Sequence, residues 1–413
     1  MDDKETIIKV CIQKTRENIK RMGEELTDEY VMKNIEETVL FQTRETGMGY
    51  KEKRRIIERV FHATRTDLDI LEPFIKDKTI TEIMVNGPKK IFIEKDGRII
   101  KSEERFIDEE ELEEVIRRIA GKVRREINEL NPIVDARLSD GSRANAILKN
   151  VALNGPMLTI RKFLFKEISM DDLIRLNTIN QEAADFLKQM VQAKYNIFIS
   201  GGTSSGKTTF LNALAHYIGR DERIITIEDS AELNIHDIDN LITMEARNAN
   251  LQGKGEITMQ ELIKTSLRMR PDRIIVGEVR GKEAIDMLQA MNTGHDGSMC
   301  TGHANSSEGM ISRLETMVLM GLDIPLDAIR KQILSAIDII VHLGRLKDKS
   351  RRVLEIVELD TMKDGQIQLN RLFQFKKVVK ENSFEEWGLM PTKHQLKRKE
   401  KLDMVKFHDE NTR

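Results

Sequence analysis

The sequence predicts an α/β protein, because short apolar runs of strand type alternate with segments of helical periodicity along most of the chain. From about residue 181 onward the runs are continuous, as at Ile224–Ile227 and Arg273–Gly277, which is typical of strands buried in a parallel sheet. A glycine-rich loop between one such run and a helix is the third indication. With 413 residues, the chain is long enough for two or three domains.

Composition and pattern divide the chain into four segments. They are a charged helical extension at 1–67, a small α/β domain at 68–165, a larger α/β domain at 166–375 and a polar, basic tail at 376–413. In the small domain an amphipathic helix at Asp108–Ala120 accompanies strand-like runs separated by turn residues. Those runs are 80–85, 91–94, 98–100, 135–138, 143–148 and 158–161.

The larger domain is predicted to end in two closing strands, at Ala336–Leu343 and Val353–Leu359. The tail beyond it is expected to be loosely packed. Its basic run at Lys393–Lys401 is most simply a solvated segment, and docking of a partner is the alternative.

Bulk composition narrows the class of protein. The formal net charge is −2, so the overall charge gives no indication that nucleic acid is a partner. The two cysteines, Cys11 and Cys300, exclude a disulfide scaffold and a cysteine zinc site, and they fit a reducing cytoplasm. The charged N-terminus has no apolar stretch of signal-peptide type, and no apolar run approaches the length of a membrane span. We therefore expect a cytoplasmic protein whose membrane role, if any, is peripheral and goes through a partner.

The most informative stretch is a G-x-x-x-x-G-K-T phosphate loop. Its residues are Gly201, Gly202, Thr203, Ser204, Ser205, Gly206, Lys207 and Thr208, followed by Thr209. Strand-type residues precede it and residues of helical spacing follow it, which is the context that the motif requires. The glycines turn backbone N–H groups around a phosphate, and the helix N-terminus adds its positive dipole end. Lys207 is predicted to reach the β- and γ-phosphates, and the Thr208 hydroxyl to hold Mg²⁺.

Two acidic residues, Glu228 and Glu278, each follow a strand-like run downstream of the loop. Carboxyl ends of parallel strands line the ligand crevice of an open sheet, so both side chains are predicted to point toward the phosphates. Metal binding and water activation are the functional interpretation. A solvated acid in each loop is the alternative.

A glycine-rich box at Thr293–Asn305 holds two of the eight histidines, His295 and His303. Their spacing does not match usual zinc sites. We predict that His303 senses the γ-phosphate, because imidazole can hydrogen-bond phosphate or stabilise developing charge. A glycine turn with incidental histidines is the alternative.

The order of these motifs resembles that in the ATPases of type II secretion, type IV secretion and type IV pili. The motifs are the phosphate loop, IEDSAEL at 227–233, RPDRIIVGEVRG at 270–281 and the histidine box. The resemblance covers roughly residues 68–360. The stretches at 82–99, 136–147, 158–163 and 312–321 look like the Tad/Flp-pilus, CpaF-type branch. Gly302 departs from the family, which usually has a branched apolar residue there, and a glycine loosens a strand.

The resemblance implies a RecA-like motor domain behind a smaller N-terminal α/β domain, with ATP and Mg²⁺ bound between them and subunits in a homohexameric ring. Thr208 and Glu278 would hold the metal, and Glu228, Glu278 and His303 would be the catalytic set. Arg143 and Arg161 would reach the nucleotide from the N-terminal side, with plain salt bridges as the alternative. Three further arginines are candidates to stabilise charge across the subunit boundary: Arg268, Arg270 and Arg280.

The activity that this implies is Mg²⁺-dependent hydrolysis of ATP to ADP and phosphate. It would power assembly of a Tad/Flp-type (type IVb) pilus, or related type II secretion, through an inner-membrane platform protein. Two alternatives stay open: a type IV secretion or conjugation motor, and a regulatory subunit that binds nucleotide without turnover.

Overall fold

The computed structural model describes residues 3–22, 27–95, 97–123, 125–162, 168–247, 249, 254–379 and 385–411. The chain divides into two compact units, Met1–Phe165 and Lys166–Arg413. The boundary predicted at 165/166 falls in 163–167, outside the described residues. In the described part of the chain, no helix has the length and apolar character needed to cross a membrane.

The first unit begins with three helices, α1 at Asp3–Met22, α2 at Asp28–Gln42 and α3 at Tyr50–Arg65. They bury a small apolar core of their own, which includes the fully buried Cys11. Burial raises the pKa of the Cys11 thiol to about 11, so it is protonated and unreactive at neutral pH.

The rest of the first unit is a six-stranded antiparallel sheet with one long helix packed on it. The helices are α4 at Glu72–Lys76 and α5 at Glu109–Lys122, and the strands are β1 at Ile80–Asn86, β2 at Ile91–Lys95, β3 at Arg98–Lys101, β4 at Ile133–Arg137, β5 at Arg143–Ile147 and β6 at Met157–Arg161. Strand order is β3-β2-β1-β6-β5-β4. The Asp108 side chain accepts a hydrogen bond from the backbone N–H of Glu111 and so begins α5, as the sequence predicts.

The second unit is a nine-stranded mixed sheet with an apolar core on each face. Its helices are α6 at Met170–Arg175, α7 at Gln181–Gln192, α8 at Lys207–Ala215, α9 at Met259–Ser266, α10 at Ala284–Asn292, α11 at Ser307–Leu319, α12 at Leu326–Ala336 and α13 at Glu400–Asn411. Its strands are β7 at Ile197–Gly201, β8 at Ile224–Glu228, β9 at Leu241–Glu245, β10 at Arg273–Val276, β11 at Met299–Gly302, β12 at Ile339–Arg345, β13 at Arg351–Lys363, β14 at Gln366–Val379 and β15 at Glu385–Pro391.

Strand order in this sheet is β15-β14-β13-β12-β7-β11-β10-β8-β9. The six strands from β12 to β9 are parallel, and β13, β14 and β15 extend the sheet antiparallel from β12. Every residue of β7, β8 and β10 is buried, which is why these strands read as continuous apolar runs in the sequence. The predicted α/β class is confirmed.

The C-terminal tail differs from the expectation of loose packing. After β15, the backbone N–H groups of Lys397 and Arg398 donate to the buried carboxylate of Glu358. The Lys401 ammonium bonds Asp296 and Asp338 at 2.7 and 2.9 Å. The expectation was wrong because the polar residues of this run meet acids on the sheet domain instead of solvent.

A second expectation was also wrong in detail. Ala336 ends α12, and the strand predicted to begin there starts at Ile339. This apolar run covers the end of a buried helix and the start of a buried strand. In such a run the hydrophobic periodicity does not show where the helix ends and the strand begins.

Arg273, the first residue of β10, is the largest fully buried side chain of the described residues, with 1 % of its surface exposed. Its guanidinium forms a bidentate pair with Glu222 at 2.7 and 2.8 Å and donates to the Val191 carbonyl at 2.7 Å. Burial alone would raise the pKa of Glu222, but Arg273 and Lys194 outweigh it and hold the pKa below its ordinary value of 4.5. The charge of Glu222 therefore stabilises the fold.

We predict that Glu222→Gln destabilises the protein by about 3 kcal/mol, because it leaves a buried guanidinium without its counter-charge. Thermal denaturation of the full chain measures this, with Asp221→Asn, an exposed neighbouring acid, as the matched control. A depressed carboxyl pKa contributes stability above the unfolded-state value, and that stability is lost as pH falls through the folded-state value. The difference between parent and variant should therefore be full above pH 4.5 and shrink below it. Equal midpoints for Glu222→Gln and Asp221→Asn at neutral pH would contradict this account.

Candidate functional site

The predicted site residues of the second unit lie at one edge of its sheet. Gly201 ends β7, Glu228 ends β8 and Gly302 ends β11, while Glu278 follows β10 by two residues. These strands are neighbours in the parallel part of the sheet, so their carboxyl ends point the same way. The phosphate loop, both acids and the histidine box therefore belong to loops that leave the same edge.

The phosphate loop has the backbone that an anion cradle needs. Ser204 and Gly206 have φ of 58° and 94°, in the left-handed region. A Cβ on Gly201 would stand 2.5 Å from Ser205 Oγ and 2.6 Å from the Leu343 carbonyl oxygen, so only glycine fits there. α8 starts at Lys207, within the phosphate-loop motif, and no side chain of the described residues caps it. Its first N–H groups are thus available to an anion at the positive end of the helix dipole.

A chain of polar contacts leads from the loop to the second acid. Lys207 Nζ donates to the Gly202 carbonyl oxygen at 3.2 Å and contacts His303 Nδ1 at 3.2 Å. His303 Nε2 lies 3.0 Å from Glu278 Oε1. His303 Nε2 also lies 3.5 Å from Lys207 Nζ, so the imidazole contacts the ammonium on one side and the carboxylate on the other.

Burial and nearby charge shift the pKa values of Lys207 and His303. Burial lowers the pKa of Lys207, which Glu278 partly offsets. Burial, and after it the Lys207 charge, lowers the pKa of His303 from its usual 6.5. The imidazole is therefore neutral at pH 7.

The two acids are held differently. One oxygen of Glu228 accepts the backbone N–H groups of Glu232 and Leu233 at 2.8 and 2.9 Å, which orders the loop after β8. A Cβ on Gly277 would stand 2.9 Å from Glu228 Cγ, so the glycine before Glu278 makes room for the first acid. The sequence offered no signal for this packing role of Gly277.

Glu278 also bonds an arginine. Arg280 Nη2 donates to Glu278 Oε2 at 3.3 Å, and Arg280 Nη1 donates to Asp229 Oδ2 at 3.5 Å. Arg280 is 60 % exposed, and Arg268 and Arg270 are exposed as well. Of the three arginines expected to act across a subunit boundary, Arg280 is the one that touches a predicted catalytic residue. Their proposed role stays a prediction.

The residues predicted to hold Mg²⁺ fit the metal by their chemistry. Thr208 offers a hydroxyl and Glu278 a carboxylate, and both are the hard oxygen ligands that Mg²⁺ prefers. Among the described residues, no cluster of three or more histidine, cysteine or acidic side chains could hold a metal by itself. Such a site would suit Mg²⁺, which is usually bound by one or two protein oxygens together with substrate phosphates.

The two remaining predicted ligands belong to the first unit. Arg143 on β5 and Arg161 on β6 are direct cross-strand partners, and Arg161 is also opposite Glu82 on β1. Like charges directly opposite each other destabilise a strand pair, and Glu82 offsets part of that cost. The structure thus brings the two arginines together on one sheet. Contact with nucleotide remains a prediction for both.

The two histidines of the histidine box make different contacts. His303 joins the contact chain with Lys207 and Glu278. His295 Nδ1 contacts the Ala290 carbonyl oxygen at 3.2 Å, at the end of α10. Of the two, His303 alone contacts Lys207 in the described part of the chain.

Comparison with known proteins gives the family. The model of the type II/IV secretion system protein family matches residues 64–399. The chain is 34% identical over 317 residues to the putative conjugal transfer protein Rv3659c of Mycobacterium tuberculosis, covering 75% of this chain and 89% of that protein. It is 32% identical over 306 residues to the conjugal transfer protein TrbB of Rhizobium radiobacter (73% and 90% covered). It is 31% identical over 324 residues to the type IV secretion system protein VirB11 of Bartonella henselae (69% and 90% covered).

Two solved structures share the fold. The ATPase DotB of Legionella pneumophila has a TM-score of 0.50 at 19% identity, with 70% of this chain and 80% of DotB covered. The pilus retraction motor PilT, solved with bound ADP, has a TM-score of 0.51 at 18% identity, with 83% and 89% covered. At these identities the likeness concerns the fold alone.

Gly302 has a packing reason that the sequence did not reveal. A Cβ at this position would stand 2.9 Å from Phe198 Cε1 and 3.1 Å from Met310 Cε. The Phe198 ring on β7 thus occupies the space where a branched residue would lie. Gly302 is buried, and the expectation of a loosened strand overlooked this ring, which packs against it.

We predict that Gly302→Ala destabilises the protein by about 1–3 kcal/mol, the usual cost of overpacking a filled core. Gly388, on β15, is the matched control, because no described atom lies within 4 Å of a Cβ there. Thermal denaturation of the full chain compares the two. If Gly302→Ala and Gly388→Ala melt at the parent temperature, Phe198 does not require a glycine at position 302.

Proposed function

This chain belongs to the type II/IV secretion system protein family, and we propose that it is an ATP-hydrolysing motor of a type IV secretion or conjugal-transfer machine. The observation that carries the proposal is the contact chain from Lys207 through His303 to Glu278, at the end of a phosphate loop. Relatives named as conjugal transfer and type IV secretion proteins, which the chain matches over nearly their whole length, support the machine class.

The Tad/Flp-pilus branch, which the sequence stretches favoured, is supported less well than this alternative. The three relatives described above carry conjugal-transfer and secretion names. The pilus motor PilT resembles the chain in fold alone. We therefore put the conjugal-transfer class first.

In the proposed mechanism, the N-terminus of α8 and Lys207 bind the phosphates of ATP. Thr208 and Glu278 would hold Mg²⁺, which when bound neutralises charge on the phosphate oxygens. Neutral His303 orients the Lys207 ammonium on one side and the Glu278 carboxylate on the other. Water would attack the γ-phosphorus in line, and the P–O bond to ADP would break. Glu278 and Glu228 both remain candidates for orienting that water.

We further propose that the protein acts as a homohexamer and meets the cytoplasmic membrane only through a platform protein. In that ring Arg143 and Arg161 would approach the nucleotide, and Arg280 is the candidate to act across a subunit boundary. An added arginine in phosphoryl transfer is worth about 10³–10⁵ in rate, so turnover in such a ring would depend on where Arg280 lies relative to the nucleotide.

Lys207→Ala should reduce ATP turnover by at least about 10³-fold, because no other cation would replace its contact with the β- and γ-phosphates. Phosphate release by the purified full chain measures the effect. Lys331→Ala, an exposed lysine on α12, is the control and should keep the parent rate. A folded Lys207→Ala protein with the parent rate would overturn the site assignment.

His303→Gln should lower kcat by about 10²-fold, because it removes the group that aligns Lys207 with Glu278. His295→Gln removes the other histidine of the same box, which contacts the Ala290 carbonyl oxygen instead of Lys207, and should stay within about twofold of the parent. Steady-state kinetics of the two variants side by side provide the measurement. Equal losses would mean that the contact chain has no special role.

A further inference from the structure

A basic hairpin connects β12 to β13 beside the phosphate loop. We define it as residues 345–352, which contain five cations and one acid, Asp348. β12 is the parallel neighbour of β7, and Leu343 pairs with Gly201. The hairpin therefore leaves the sheet next to the point where the phosphate loop begins.

One residue of the basic hairpin touches the loop directly. Arg351 Nε donates to the Ser204 carbonyl oxygen at 3.1 Å. Its side chain also lies against the backbone of the loop, because Arg351 Cδ is 3.2 Å from the place of a Cβ on Gly206. These two contacts involve the two loop residues that adopt positive φ, Ser204 and Gly206.

The contact is made to a peptide whose carbonyl and N–H point in opposite directions. A trans peptide points its N–H away from its C=O, so a guanidinium that holds the Ser204 carbonyl outward turns the Ser205 N–H inward. That N–H makes only a long hydrogen bond, 3.4 Å, to the Gly202 carbonyl oxygen inside the loop. A non-glycine residue at φ 58° is an uncommon conformation that its surroundings must maintain.

The basic hairpin itself does not hold Arg351 in this position. Arg345 is its direct partner across the strand pair, and like charges directly opposite each other repel. The neighbouring Arg352 points to another element, where its Nη1 donates to the Leu176 carbonyl oxygen at 2.8 Å. Among the described residues, the Ser204 carbonyl is the one hydrogen-bond partner of the Arg351 side chain.

We propose that Arg351 is a positioning residue, which keeps the Ser204 carbonyl turned away from the bound phosphates and so holds the loop ready for the nucleotide. The proposal rests on the proposed function, because it assigns Arg351 to the same nucleotide site. It does not depend on which machine the motor drives.

The test compares Arg351→Ala, Arg351→Lys and Arg345→Ala in the full chain. Arg345→Ala is the matched control, because it removes the same charge from the opposite residue of the basic hairpin. Within the described part of the chain, the Arg345 side chain makes no hydrogen bond or ion pair. Binding of ADP with Mg²⁺, measured by calorimetry, and the KM and kcat for ATP are the readouts.

Arg351→Ala should weaken ADP binding and raise KM by roughly fivefold to tenfold, which is what removing one hydrogen bond from a charged donor costs. Its kcat should stay within about twofold of the parent, because an interaction that is equally strong in the ground state and the transition state affects KM alone. Arg351→Lys should recover most of the affinity, and Arg345→Ala should bind as the parent does. The weaker ADP binding of Arg351→Ala should persist at about 0.5 M salt, where electrostatic interactions beyond a few ångströms are screened.

Two outcomes overturn the proposal. In one, Arg351→Ala binds ADP as the parent does. In the other, both alanine variants weaken binding equally and the effect disappears in salt, so that the basic hairpin acts by charge alone. Should Arg351→Ala fail to fold, Arg351→Gln serves in its place. Failure of the proposed function looks different, because the parent itself would then bind no ADP, or Lys207→Ala would bind it unchanged.

Discussion

The candidate site of the second unit depends on one constraint, the parallel pairing of β12, β7, β11, β10 and β8. Because the strands run the same way, the loops that follow them leave from a common edge. Residues 96 positions apart, Lys207 and His303, thereby come within 3.2 Å. The strands are buried on both faces, so a shift of their register would move apolar side chains and site residues together.

Close packing beneath the site keeps this edge in place. Gly201, Gly277 and Gly302 each stand where a neighbouring group occupies the space of a Cβ. At the opposite end of β10, Arg273 and Glu222 form a buried ion pair that is costly to break. Close packing and a buried ion pair therefore hold the loops at the site in place. A rigid arrangement of this kind suits a site whose hydrogen-bonding groups are positioned before a ligand binds.

Much of this could be predicted from the sequence, because the signals are local. The phosphate loop has its own motif, and buried parallel strands read as continuous apolar runs, so the α/β class and the positions of Lys207, Glu228 and Glu278 followed. His303 was predicted as part of the site from its glycine-rich box. The contacts that the sequence did not reveal join distant residues: Arg351 meets Ser204 across 147 positions, and Lys401 meets Lys194 across 207. The residues next to a charged side chain in the sequence do not indicate whether it bonds a distant backbone carbonyl or water.

The proposed function requires this edge of the sheet to hydrolyse a nucleotide. Release of phosphate from ATP by the purified full chain, with Mg²⁺ and then with an excess of EDTA, tests it most directly. We expect steady turnover with Mg²⁺ and its loss in EDTA, because the oxygen ligands at the site need the metal to neutralise the phosphates. If the folded protein releases no phosphate with Mg²⁺, or releases it equally well in EDTA, this edge of the sheet is not a Mg²⁺-dependent ATPase site.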